Sequence, residues 1–264
     1  MIVAITREVS PSIARCELTH LTRHEIDVEV ARSQHLQYEK ILMDMGCHLR
    51  RLPPEPNLPD SVFVEDTAIV LDELALVTRP GATSRREETR GVAEVLREYR
   101  TIFHIVSPGT LDGGDVLQIG RTLYVGKTGR TNESGVDQLM ELVSPYKYKV
   151  ETVEVEGCLH LKSAVTLVGE NTLLINKSWV DPKRFGSREY IDIDPMEPYA
   201  ANALLVGDQL VYPASFPKTL RRLESKGLSV RVVDVSELQK AEGAVTCCSL
   251  IFEKSLPINI ELDA

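Results

Sequence analysis

The sequence has no excess of basic residues, no apolar run near the ~18 residues needed to span a bilayer, and no CxxC pair. Each absence removes a class of function. With 30 Lys and Arg against 39 Asp and Glu, the formal net charge is −9, so the basic face on which non-specific nucleic-acid binding rests is missing. The first apolar stretch, Ile2 to Ile5, runs straight into Arg7 and Glu8, which is not the pattern of a secretory or transit signal. Five cysteines, at 16, 47, 158, 247 and 248, form an odd set without zinc-knot spacing. Reduced thiols in a soluble, cytoplasmic protein with no metal and no cofactor are therefore expected. At 43% hydrophobic and 26% charged residues, the composition is that of an ordinary globular chain able to bury a core without disulfides.

What is present is a recurring hairpin, two β-rich runs joined by a short polar turn. Ala68 to Leu71 is followed by Leu74 to Thr78, Val116 to Ile119 by Thr122 to Gly126, Ala164 to Val168 by Thr172 to Asn176, and Ala203 to Val206 by Leu210 to Tyr212. A fifth candidate runs from Leu250 to Phe252 and turns through Glu253 to Leu256 into Pro257 to Leu262. The starts at 68, 116, 164, about 203 and 250 are separated by 48, 48, about 39 and about 47 positions, a self-similarity that signals repeats.

Helical patterns follow the hairpins at Ser84 to Tyr99, Asn132 to Val143 and Phe216 to Ser225, with a poorer one near Asp181 to Tyr190 that contains Pro182 and Gly186. Ser84-Arg85-Arg86-Glu87 fits a capping box. Another strand-like run comes after each: Thr101 to Val106, Tyr148 to Val155, Ile191 to Ile193 and Ser229 to Val235. The unit reads ββαβ. Strands at Ile2 to Thr6 and Cys47 to Leu52, flanking a long helix over Glu25 to Met45, supply a fifth unit together with the C-terminal strands. Five units that cannot each bury both faces alone predict an α/β, five-bladed propeller in one domain spanning 1–264.

In such a ring, residues just before each first strand and just after each second strand share one end. The chemistry is predicted there. Asp60-Ser61-Val62-Phe63-Val64-Glu65-Asp66 precedes the first hairpin, Leu111-Asp112-Gly113-Gly114-Asp115 the second, Cys158 to Ser163 with His160 the third, and Gly243 to Ser249 with Cys247 and Cys248 the fifth. Asp66 to Asp112 is 46 positions and Asp112 to His160 is 48, so carboxylates, an imidazole and a thiol meet at one mouth. Arg85 and Arg130 follow the second strands of the first two hairpins and are expected to reach it too. A Cys with a His and a carboxylate can attack an electrophilic carbon and move the protons this requires. Further carboxylates and two arginines suit a small cationic amino acid, because Asp or Glu pairs a planar guanidinium as Arg pairs a carboxylate.

These stretches resemble the dimethylarginine dimethylaminohydrolase family of the guanidine-modifying superfamily, whose pentein fold is a five-bladed α/β propeller. The resemblance lies in Asp60 to Ala68 (DSVFVEDTA), Thr78 to Arg86 (TRPGATSRR), Leu111 to Leu117 (LDGGDVL), Arg130 to Asn132 (RTN), Leu159 to Ser163 (LHLKS) and Thr246 to Ser249 (TCCS), in order along nearly the whole chain. It implies Cys247 as nucleophile, His160 as general acid and base, and Asp112 as the carboxylate orienting it. It further implies that Glu65 and Asp66 grip a guanidinium beside Asp60 and Phe63. Arg85 and Arg130 would hold the substrate α-carboxylate, and Leu18 would contact the amino-acid end from a lid loop. Ala241 stands where relatives carry a larger aliphatic residue, so the resemblance does not extend to that wall of the methyl-group pocket. The implied activity is metal-free hydrolysis of Nω-methylated arginines to citrulline and a methylamine. The alternatives are a deiminase or another amidine hydrolase of the same superfamily, and a non-catalytic propeller that binds a macromolecule. A homo-oligomer is compatible with all of them. Cys248 is predicted to point away from Cys247 if the segment is extended, and Cys16, Cys47 and Cys158 are read as packing thiols.

Overall fold

Glycines set two of the hairpin turns. Gly120 and Gly207 adopt φ of 57° and 61°, left-handed values that a side chain disfavours and a tight turn between twisted strands requires. The computed structural model describes residues 1–254. In it, Ala68–Val70 pairs antiparallel with Leu74–Val77, which then pairs parallel with Thr101–His104. The same three-strand pattern recurs at Val116–Ile119, Thr122–Lys127 and Lys149–Glu154. It recurs again at Val165–Gly169, Thr172–Ile175 and Glu189–Asp192, and at Leu204–Val206, Gln209–Pro213 and Ser229–Val233. A parallel third strand needs a crossover, and the segment after each hairpin supplies it. The five sheets remain separate, each with three strands, which is the predicted pentein architecture.

The fifth sheet is split between the chain ends, as expected; the hairpin read into Pro257 to Leu262 lies outside the described residues. Leu250–Glu253 pairs antiparallel with Ile2–Arg7, which pairs parallel with His48–Leu52. Ile2–Arg7 is thus the middle strand of that sheet. Residues from the first strands of all five sheets, among them Ile69, Leu117, Leu167, Leu205 and Ile251, line one central cavity of about 270 Å³. Between neighbouring sheets lie apolar clusters, such as Leu74, Leu76, Leu123, Val125 and Leu139. Each fully buried Leu contributes roughly 1.5–3 kcal/mol.

Helices start where the sequence offers a cap. Asp27 accepts N–H bonds from Glu29 and Val30 at the head of Val28–Asp44, and Asn132 accepts one from Gly135 at the head of Glu133–Val143. Pro217 opens Pro217–Ser225, where its missing N–H costs nothing. The Ser84 capping box does not form. Thr83–Glu88 is 3-10 and leads into the helix Thr89–Leu96, while the Ser84 hydroxyl donates instead to Glu17 Oε1 at 2.5 Å. The segment near Asp181 to Tyr190 contributes only a 3-10 turn, Pro182–Phe185, before Gly186 at φ 73° breaks it and the strand Glu189–Asp192 begins. No helix among the described residues is long and apolar enough to cross a membrane.

Candidate active site

Three turns in equivalent positions build the site, each immediately before the first strand of its sheet. Val64–Thr67 is 3-10, tightened by Thr67 Oγ1 donating to the Val64 carbonyl at 2.7 Å. Gly113–Asp115 is likewise 3-10, and Leu161–Ala164 is a single helical turn. Asp112 and His160 stand in extended backbone directly before these last two. The repeat spacing therefore delivers Asp66, Asp112 and His160 to one point, where their ligating atoms all lie within 4.8 Å of one another.

The imidazole is sandwiched between carboxylates. His160 Nε2 lies 3.0 Å from Asp112 Oδ2, and Nδ1 lies 3.8 Å from Asp66 Oδ1. Asp112 Oδ1 accepts the Gly81 N–H at 2.8 Å, and Asp66 Oδ1 accepts the Gly114 N–H at 2.9 Å. Gly114 must be glycine, because a Cβ there would sit 2.6 Å from His160 Nδ1 and 2.7 Å from Asp66 Oδ1. Burial alone would lower the His160 pKa, but Asp66, Asp115 and Asp112 outweigh it and raise the pKa to about 9. The ring is an imidazolium at neutral pH. For Asp66, burial is opposed by His160 and Arg85, and the carboxyl is held well below the usual range. A metal ion on Asp66, Asp112 and His160 would have to displace these bonds.

Cys247 lies in a turn, not in an extended segment as the alternation argument requires. Its carbonyl accepts the Glu65 N–H at 3.1 Å, which joins the thiol-bearing turn to the carboxylate-bearing one. Burial, reinforced by Glu65 and Asp66, pushes the Cys247 thiol up. Cys248 is fully buried in the apolar cluster, its Sγ 3.4 Å from the Ala244 carbonyl. Half-buried Cys247 and Leu18 pack against the same apolar cluster that contains Phe63 and Ala241.

Glu65 is not free at the mouth. Its Oε1 pairs with Lys162 Nζ at 2.6 Å and its Oε2 accepts from Thr246 Oγ1 at 2.9 Å. Burial outweighs Lys162 and raises its pKa. Asp60 Oδ2 accepts the Glu17 N–H at 3.1 Å, at the start of the loop carrying Leu18. Burial raises the Asp60 pKa as well, against Arg85.

The two arginines expected to act together are held in different states. Arg85 is buried, with Nη1 on Asp66 Oδ2 at 2.6 Å, Nε and Nη2 on Glu88, and Nη2 also 3.2 Å from the Phe63 carbonyl. All three nitrogens are engaged, so a substrate carboxylate would have to share or displace these partners. Arg130 donates from Nη2 to Thr19 Oγ1 at 3.1 Å, while Nη1 is buried with no hydrogen-bond partner, 3.8 Å from Asp112 Oδ2. A buried guanidinium N–H without a partner is costly. Its nearest charged neighbour is the Asp112 carboxylate.

The profile of the family described as N,N dimethylarginine dimethylhydrolase, eukaryotic, matches residues 16–190. An N(G),N(G)-dimethylarginine dimethylaminohydrolase of Streptomyces coelicolor is 42% identical over 248 residues, 94% of this chain and 95% of that protein. The chain belongs to the dimethylarginine dimethylaminohydrolase family. Solved members of that family share its fold. A Pseudomonas aeruginosa serine mutant complexed with citrulline has a TM-score of 0.89 at 33% identity, covering 94% of this chain and 98% of that one. A histidine-to-glycine variant, as an adduct with S-methyl-L-thiocitrulline, gives 0.90 at 34% identity, covering 96% and 100%.

Several residues around the family site were not singled out from sequence. Asp115 is fully buried and accepts from Leu161 N, Thr128 Oγ1 and Thr131 Oγ1, fixing the His160 turn. Burial raises its pKa to about 6. Asn202 donates to the Lys162 carbonyl and to Thr246 Oγ1, and it accepts the Thr246 N–H. It precedes the fourth first strand, so the repeat phase could have found it. Glu88, which holds Arg85, has no such signal.

These shifts carry a stability consequence. A His160 pKa raised from 6.5 to about 9 means that the folded state holds a proton the unfolded chain has lost between those values. Its contribution is fully present below 6.5 and disappears as pH rises through 9. Glu88, where burial outweighs Arg85 and lifts the pKa from 4.5 to about 7, erodes stability in the same direction at lower pH. The melting temperature is expected to fall from pH 6.5 to pH 9, more steeply than in His160→Gln. Calorimetry across that window checks it, and a level or rising curve contradicts it.

Proposed function

We propose that this protein hydrolyses asymmetric dimethylarginine and monomethylarginine to citrulline and dimethylamine or methylamine, with Cys247 as nucleophile. The observation that carries the reading is the imidazolium of His160 set between Asp112 and Asp66, beside the turn that bears a half-buried thiol and within a family of this activity. The guanidinium of the substrate pairs with Asp66 and Glu65, and its α-carboxylate takes the unpartnered N–H of Arg130. Arg85 serves from beneath by holding Asp66 in place.

In the resting state the thiol is neutral and the imidazole charged, so neither is poised to react. Arrival of a guanidinium cation offsets the carboxylate field that holds the thiol neutral; the thiol then releases its proton to solvent, while the imidazolium, still hydrogen-bonded to Asp112, keeps its own for the leaving amine. The thiolate attacks the guanidinium carbon, which is held by position and electrostatics in a site largely shielded from water. His160 protonates the leaving amine as the tetrahedral adduct collapses to a covalent thiouronium. It then takes a proton from water, whose oxygen displaces the sulfur and gives citrulline. Asp112 keeps the ring oriented through both steps. Because every described cysteine is a free thiol, we place the protein in the reducing cytoplasm.

The test is release of citrulline and dimethylamine by purified protein given asymmetric dimethylarginine, beside arginine. Turnover of the methylated substrate is expected. Turnover of arginine alone would move the assignment to a deiminase, and no turnover of either would defeat it.

A further inference from the structure

The loop carrying Leu18 is held down by carboxylates rather than by secondary structure. Between Glu17 and Asp27, the backbone amides that find an acceptor among the described residues all find a distant carboxylate: Asp60, Glu242 or Glu237. Glu242 takes three in succession. Its carboxylate accepts the N–H of Thr19 at 3.1 and 3.0 Å, of His20 at 2.5 Å and of Leu21 at 2.6 Å.

Glu242 also sits in an unusual backbone state. Its φ is 58°, where the chain leaves the short helix Ser236–Gln239 and the Gly243 N–H returns to the Leu238 carbonyl at 3.1 Å. Glycine is the relaxed residue at a helix end of this kind. A strained residue that persists where a relaxed one fits points to a function for its side chain. The next residue has to be glycine, since a Cβ at 243 would meet Phe63 Cε1 at 2.1 Å.

What the clasp closes is also defined. His20 and Leu21 wall a cavity of about 180 Å³ whose lining also includes Leu159, next to His160, Ala244, whose carbonyl accepts the Cys247 N–H, and Asn202, which holds Thr246. Thr19, the first of the clasped residues and the neighbour of Leu18, accepts from Arg130 through its hydroxyl.

We propose that Glu242 is a positioning residue, a clasp that fixes the 18–21 loop over the substrate's amino-acid end. This rests on reading the mouth as the substrate site. Glu242 touches no reacting atom. It sets where Leu18 and Thr19 stand when the α-amino and α-carboxylate groups arrive, so it governs substrate capture rather than chemistry.

The decisive variant is Glu242→Gly, which removes the clasp while relaxing the backbone, so that folding is retained. Expected are a KM for dimethylarginine raised ~10-fold or more with kcat within ~3-fold, and exchange of the Thr19, His20 and Leu21 amides at least ~10-fold faster without substrate. Glu242→Gln, which keeps an acceptor oxygen, should fall between. Unchanged exchange and KM, or a joint fall in kcat and melting temperature, would overturn the clasp. Exchange needs no turnover, so it decides the clasp even if the proposed hydrolysis fails.

Discussion

Replacing Cys247 with serine is expected to abolish dimethylarginine turnover, by ~10⁴-fold or more in kcat, while leaving the fold and the binding of citrulline intact. Cys247 is half-buried in a turn whose framework is backbone, the Glu65 N–H to the Cys247 carbonyl and the Cys247 N–H to the Ala244 carbonyl. None of those bonds needs sulfur, so the melting temperature should scarcely move. The chemistry does need it. Glu65 and Asp66 already push a thiol up, and a hydroxyl, far harder to ionise, will not yield an alkoxide in the same field even with a cation bound. Cys248→Ser should behave in the opposite way. That side chain is fully buried among apolar residues, so the variant should lose roughly 1–3 kcal/mol of stability and keep most of its turnover. Activity assays and calorimetry on both proteins separate the two cysteines. A Cys247→Ser protein that still releases dimethylamine would remove the thiol from the mechanism.

How much of this was legible before the structure depends on the range of the interaction. The hairpins were legible because strand alternation and turn glycines such as Gly120 and Gly207 act over a few residues. The common phase of Asp66, Asp112 and His160 was legible because a repeat converts sequence spacing into position. Local rules failed where a distant group intervened. Ser84 has the spacing of a cap, yet its hydroxyl goes to Glu17, 67 positions away. Leu250–Glu253 pairs with Ile2–Arg7, from the other end of the chain, a partner that no local turn signal points to. The ion pairs of Arg85 with Asp66 and Glu88 depend on how deeply those groups are buried, which no spacing encodes. Glu242 reaches the 19–21 amides across more than 220 positions. Recognition of the motifs brings candidate residues together, but it does not say which of their bonds are already made.

Asp66→Asn tests those bonds most directly, because it should move two observables in opposite directions. Asp66 pairs with Arg85 and faces His160, and on the proposed mechanism it receives the guanidinium. Without its charge the substrate loses its main electrostatic hold, and kcat/KM is expected to fall ~10³-fold. Arg85 keeps Glu88, so the destabilisation should stay below the ~3–5 kcal/mol typical of a buried charge left alone. The same substitution removes one of the charges that disfavour the thiolate and the leading one that favours the imidazolium. Both pKa values should therefore drop, and Cys247 should react faster with a neutral alkylating agent at pH 8 than in the unaltered protein, although catalysis has collapsed. An enzyme slower toward substrate yet quicker toward iodoacetamide is the signature of a nucleophile restrained by its own binding site. If alkylation slows as well, the carboxylate is not holding the thiol back, and activation by the arriving cation loses its physical basis.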